Sequence, residues 1–190
     1  MFRRSLTVPA AALAATALLA ACDDPTAPVP NDQELITDVV ITLTPVGGGT
    51  AITSTIADPD GPGPTSPNAQ TAAIVLTPGM TYDGMVEFFD RSDPSDPEDI
   101  TVEVETEAEE HRVFHLLSGL TGVTIPEDSL DEDGTGAPLG LTFQIVVDSG
   151  ASGSGAVRII LSHYDEQPKG DGSVQSDETD ADVSFDVSVS

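Results

Sequence analysis

Apolar and polar residues alternate with a period of two along most of the chain beyond residue 34. Leu35, Val39, Ile41 and Leu43 share one parity, as do Ala72, Ile74 and Leu76, then Tyr82, Val86 and Phe88, then Leu141, Phe143, Ile145 and Val147. Two later runs are cleaner. Val157, Ile159 and Leu161 lead to His163 on the same parity, and Val183, Phe185, Val187 and Val189 alternate with Asp182, Ser184, Asp186 and Ser188. Successive side chains of a strand point to opposite faces, so each run predicts a strand with one buried side. Residues 50–57, 112–117 and 120–125 carry weaker versions of the pattern. Gly-, Pro- and Asp-rich breakers at 47–49, 58–68, 90–97, 127–140, 149–155 and 167–180 separate the runs. Many short strands without strand–helix repetition predict an all-β fold. The expected form is an antiparallel β-sandwich of seven to nine strands, Ig-like or Greek key, with a closed barrel as the alternative.

One segment departs from this. Asp96 reads as an N-cap, Pro97 as the first helical position and Glu98 and Asp99 as first-turn acids, which predicts a short helix over 97–110. Ile100, Val104 and Ala108 would share one stripe. The same stretch also alternates as a strand through Ile100, Val102, Val104 and Thr106, and its β-branched residues are poor helix formers.

The start of the chain has a different composition. Arg3 and Arg4 precede an apolar run over 8–19, and Leu19, Ala20, Ala21 and Cys22 close it. A charged, an apolar and a small-residue zone make a secretory signal, and small residues directly before Cys make it a lipobox, with acylation at Cys22. The run is shorter than the roughly 20 residues a spanning helix needs. The expected organisation is a leader over 1–21, an extended tether over 22–33 and an acidic β domain over 34–190. With Cys22 acylated, no thiol remains for a disulfide or a CxxC metal site, since the chain has one Cys.

Charge narrows the partners. Thirty-three acidic residues face six Lys and Arg, a net charge of −27. Such a surface repels nucleic acid and anionic lipid headgroups and suits cations, or growth in concentrated salt. The chain also lacks Trp, which disfavours aromatic cages and sugar-stacking platforms.

Three histidines are the candidate transition-metal ligands. Glu110, His111 and His115 lie together and His163 ends its apolar run. On a helix, His111 and His115 would be about 6 Å apart and could share an ion. On a strand they would be about 13 Å apart and could not. A zinc or copper site would use His111, His115 and His163 with an acid such as Glu110 as fourth ligand. The alternative is two rim histidines with no ion. Two acidic glycine loops, Asp58–Asp60–Gly61–Gly63 and Asp128–Asp131–Asp133–Gly134–Gly136, are calcium candidates, with Asp58, Asp60, Asp131 and Asp133 as ligands. Asp-Gly pairs are equally common turn formers. No nucleophile elbow, HExxH motif or phosphate-binding loop occurs, so no enzyme is expected.

The segments EEHRVFH (109–115), GAPLGL (136–141), RIILSHYDEQPKG (158–170) and ETDADVSFDV (178–187) resemble a family of small Bacteroidota-type envelope lipoproteins. That family often carries the label "type 1 periplasmic binding fold superfamily". The label implies two α/β lobes and about twice this length, whereas these residues alternate as antiparallel strands. The resemblance implies placement in the cell envelope, with the acyl chains in the outer membrane and the domain on its periplasmic or surface face. It also implies an accessory role in ligand or metal uptake beside a TonB-dependent receptor. A structural or adhesive Ig-like surface module without a transition-metal site is the alternative.

Overall fold

The computed structural model describes residues 34–60, 64–164 and 168–190. The leader, Cys22 and the tether lie outside the described residues, as do Gly61 and Gly63 of the first acidic loop.

Eight strands form a single sheet. They are β1 (Asp38–Pro45), β2 (Ile52–Ala57), β3 (Ile74–Leu76), β4 (Thr81–Asp90), β5 (Glu98–Asp99), β6 (His111–Thr124), β7 (Thr142–His163) and β8 (Glu178–Val189), with one short helix, α1 (Thr101–Thr106). The hydrogen-bonded order is β2-β1-β4-β7-β8-β3, with β5 beside β4 and β6 beside β7. All pairings are antiparallel except β3 with β8. The fold is all-β, as the alternation predicts. The two layers that face each other across the core belong to one sheet that curls until its ends nearly meet. The segment before β3 makes the closure: Asn68 and Thr71 donate their N–H groups to the carbonyls of Ala57 and Thr55 on β2. Closing a sheet removes the unpaired edges that would otherwise invite pairing with another chain.

The period-two runs fill the interior. Ile41, Leu43, Ile74, Leu76, Phe88, Ile145, Ile159, Leu161 and Phe185 are all buried to within 2 % of complete. Leu35 is the exception to the expected parity. It faces solvent and Ile36 takes the inward place, because β1 begins only at Asp38.

β7 organises the sheet. Its first part pairs with β4 and its last eleven residues pair with β8, while β6 runs antiparallel beside it. The glycine-rich stretch 149–155, expected to be a break, stays within this long strand, and the pairing register of β6 shifts opposite it. Gly155 permits the close approach of β6. A Cβ placed there would lie 1.8 Å from the Ser118 carbonyl oxygen.

The expected helix over 97–110 is shortened at both ends. Glu98 and Asp99 pair with Asp90 and Phe89 of β4, so sheet pairing takes the backbone that the Asp96–Pro97 start would have used. α1 then begins after Ile100 without a side-chain cap. The stripe survives: Ile100 and Val104 are buried and Ala108 packs against the core.

Substituting Gly155 by Ala is expected to destabilise the domain by about 2–3 kcal/mol, because neither strand backbone can yield. Gly150→Ala, which meets nothing within 4 Å, is expected to stay within about 0.5 kcal/mol. Urea midpoints of the two variants check the contrast, and equal midpoints would contradict the close approach of β6 to β7 at Gly155.

Candidate metal centre

His111 is the first residue of β6 and His163 the last of β7, and the two are direct cross-strand partners. Their rings stack with centroids 4.5 Å apart and planes 24° apart. Both follow the inward parity of their strands, His163 after Leu161 and His111 before Val113, so they extend the apolar interior to one end of the barrel.

Two carboxylates meet them there. Asp180 lies on β8, where Leu161 pairs with Ala181 but Ser162 pairs with Thr179, leaving Asp180 as the extra residue of a β-bulge. A bulge re-aims a side chain, and here the consecutive residues Asp180 and Ala181 are both buried. Glu34 arrives from the segment ahead of β1, and its side chain is only 4 % exposed.

The distances are specific. His111 Nε2 lies 3.6 Å from Glu34 Oε1 and 3.7 Å from Asp180 Oδ2. His163 Nδ1 lies 3.5 Å from Glu34 Oε2 and 3.6 Å from Asp180 Oδ2. These separations exceed hydrogen-bond lengths. Accordingly, both Glu34 oxygens, both Asp180 oxygens and His111 Nε2 are buried without a hydrogen-bond partner. Four donors about 2.1 Å from a central zinc at tetrahedral angles would be about 3.4 Å from one another. The four imidazole-to-carboxylate distances are close to that length.

The surroundings favour metal-ready donors. His111 Nδ1 sits 3.2 Å from the Glu107 carbonyl oxygen. Donation of the Nδ1 proton to that carbonyl leaves the Nε2 lone pair aimed at the cluster, the usual outer support of a ligating histidine. In the cluster as it stands, burial opposes charge on His111, but Asp180 and Glu34 outweigh it and push the imidazole pKa up to about 9. The Asp180 carboxyl is pushed up by burial, with Glu34 adding, although His111 opposes it.

The expected sites are partly rearranged. His111 and His163 come together. His115 does not join them, since β6 is a strand and the four-residue spacing carries it away along that strand. Its ring packs instead on Phe143, with centroids 4.2 Å apart. Glu110 is exposed in the turn before β6, where its N–H donates to the Glu107 carbonyl and its own carbonyl accepts the Tyr164 N–H. Asp60, Asp131 and Asp133 of the calcium candidates have hydrogen-bond partners, whereas the Asp58 Oδ1 is buried without one. Asp131 Oδ1 accepts the Gly140 and Thr142 N–H groups. Asp133 accepts from Thr135 and Ala137 with one oxygen and from buried Lys169 at 2.8 Å with the other. Asp60 accepts the Thr65 N–H, and Asp58 is buried beside it with its pKa raised, first by burial and then by Asp60. Among the described residues, two groups bring three or more His, Asp or Glu donor atoms within 4.8 Å of one another: Glu34–His111–His163–Asp180, and Glu34–Glu103–Glu107.

Glu34 and Asp180 were not foreseen from the sequence. Asp180 violates the alternation of its own strand, which only the bulge explains. Glu34 precedes the first periodic run, where no pattern marks it.

No protein-family model, curated protein or solved structure matches this chain. The site therefore stands on its own geometry.

His115 supplies a test of the surrounding packing. Its Nε2 is enclosed without a partner, and burial, aided by Arg112, lowers its pKa to about 3. The unfolded chain binds that proton near pH 6.5. Stability is therefore complete above pH 6.5 and is lost as pH falls from there toward 3. At pH 4.5 this loss is on the order of 2 kcal/mol, and His115→Phe is expected to remove it. Denaturant titrations of both proteins at pH 7.5 and 4.5 check this; equal acid sensitivity would contradict it.

Proposed function

We propose that this protein is a lipid-anchored envelope domain that binds one divalent transition-metal ion, zinc foremost, through Glu34, His111, His163 and Asp180. One observation carries the reading: Glu34, His111, His163 and Asp180 bring donor atoms within 4.8 Å of one another at one buried point, with imidazole-to-carboxylate separations of 3.5–3.7 Å, and both carboxylates and His111 Nε2 lack a hydrogen-bond partner. Buried polar groups are nearly always satisfied, and a set left unsatisfied together calls for a shared partner. Two neutral imidazoles and two carboxylates carry a charge of −2, which a divalent ion cancels. An imidazolium at His111 between the two acids is the state to which the empty site falls back.

The donor set favours zinc over calcium, which takes six to eight oxygens. It also favours holding the ion over using it. A catalytic zinc keeps an open position for water, whereas all four side chains here are buried. The protein is accordingly read as a binding protein and not as an enzyme. Glu34 directly follows the tether, so a bound ion would fasten the end of the tether to β6, β7 and β8 while acyl chains on Cys22 hold its other end. A TonB-dependent receptor is the partner that the family resemblance suggests for the loaded domain.

Metal analysis after dialysis is expected to give one zinc per chain, with His111→Ala/His163→Ala weakening binding at least 100-fold. Zinc at about 1,000 times its Kd should stabilise the parent by about 4 kcal/mol, reversed by chelator. Equal zinc binding by the parent and the double variant would rule the site out.

The anchor is tested separately. The parent is expected to sediment with membranes and Cys22→Ser to remain in the soluble fraction. Membrane retention of the serine variant would remove the acyl anchor from this reading.

A further inference from the structure

We propose that Lys169 is a positioning residue for the metal centre: its ammonium fixes the turn over 107–110, whose Glu107 carbonyl orients His111. The inference rests on the metal reading above and deepens it by naming what keeps one ligand in place.

Lys169 is the only lysine in a chain with 33 acidic residues, yet its side chain is just 3 % exposed. An ammonium that could pair with acids on the surface is instead taken out of water, which is costly unless well-placed partners receive it. It has two, each at 2.8 Å: Asp133 Oδ2 and the Ala108 carbonyl oxygen. Asp133 is held in turn, because its other oxygen accepts the Thr135 N–H and hydroxyl and the Ala137 N–H. The acid that reads as a calcium ligand in the sequence thus fastens a cation of the chain's own, and that cation grips the turn before β6.

The grip falls one peptide away from the support of His111. α1 has no basic residue in its last turn, and Lys169 supplies from a distant segment the cation that often meets the carbonyls at a helix end. The peptide planes carrying the Glu107 and Ala108 carbonyls meet at the Ala108 Cα, so anchoring one restricts the tilt of the other. The Glu107 carbonyl faces His111 Nδ1 at 3.2 Å and also accepts the Glu110 N–H. At the far end of the turn, the N–H of Tyr164, the residue after His163, donates to the Glu110 carbonyl. The Ala108 side chain packs against the core. The turn is therefore held at Ala108 and again at Glu110, and the residue that follows it is His111. Outer partners of a ligating histidine are worth about 10–100-fold in metal affinity. Lys169 acts one step farther out, through the backbone.

Zinc competition titrations of the full chain test this. Lys169→Met is expected to raise the zinc Kd about tenfold. It leaves Asp133 without its cation, so Lys169→Met/Asp133→Asn, which removes both charges together, guards against a folding defect and is expected to show the same loss. In the zinc-loaded protein, the His111 Nδ1 proton followed by NMR is expected to exchange with solvent at least tenfold faster in both variants. Gly155→Ala, which disturbs the contact with Ser118 and not the turn, is expected to keep both quantities within twofold of the parent. An unchanged Kd or an unchanged exchange rate in the two Lys169 variants would overturn the proposal, and so would an equal change in Gly155→Ala. If the parent itself binds no zinc, the metal reading falls first and takes this inference with it.

Discussion

Two carboxylates facing two imidazoles inside an apolar barrel end is the constraint on which the rest of the structure turns. Each buried, uncompensated carboxylate costs several kcal/mol, while a domain of this size is stable by only about 5–15 kcal/mol. Glu34 and Asp180 left ionised and unpartnered would consume much of that margin. Something positive must sit among them, either a proton shared with His111 or a metal ion. The 3.5–3.7 Å separations, longer than hydrogen bonds, are the feature that supports the metal reading over the proton.

The fold places these groups by strand register rather than by loop design. Pairing of His111 with His163 fixes the two rings side by side, and the bulge on β8 turns Asp180 inward without breaking the ladder on either side. Rigid strands suit a site that must keep its donors within a fraction of an ångström. Glu34 differs, since it comes from the chain before β1 and no strand holds it. An ion at this position would therefore tie Glu34 to β6, β7 and β8 as well as fill the cluster.

The sequence was informative where periodicity governs and silent where it is broken. Alternating residues such as Val183, Phe185 and Val187 marked their strand and its buried face, because burial on one side leaves that imprint. His163 was legible for the same reason, as the next inward position after Leu161. The continuation of β7 through 149–155 was not legible. Glycines that let a neighbouring strand approach closely look the same in sequence as glycines that end a strand. The helix at α1 lost its expected first turn to β4, a tertiary pairing that local capping signals cannot report. Asp180 was hidden by the bulge and Glu34 by its place beside the tether, so half of the cluster rested on contacts between segments distant in sequence. His115 showed the reverse case. Its spacing from His111 suggested a shared ion only if the segment were helical, and β6 carries its ring to Phe143 instead.

The high acidity needs separate treatment from the site. A net charge of −27 raises the concentration of cations near the whole surface, yet charges farther apart than about 8 Å are largely screened at physiological ionic strength. Most of the acidic residues therefore affect solubility and salt response and cannot select where an ion binds. Selection requires donors that are close together, desolvated and unsatisfied. Glu34, His111 and Asp180, with His163 beside them, come nearest to that requirement, and Asp133, held by Lys169 and the Thr135 turn, does not. Adaptation to salt and binding of a metal ion are thus compatible, since one belongs to the summed surface field and the other to a few ångströms at one end of the barrel.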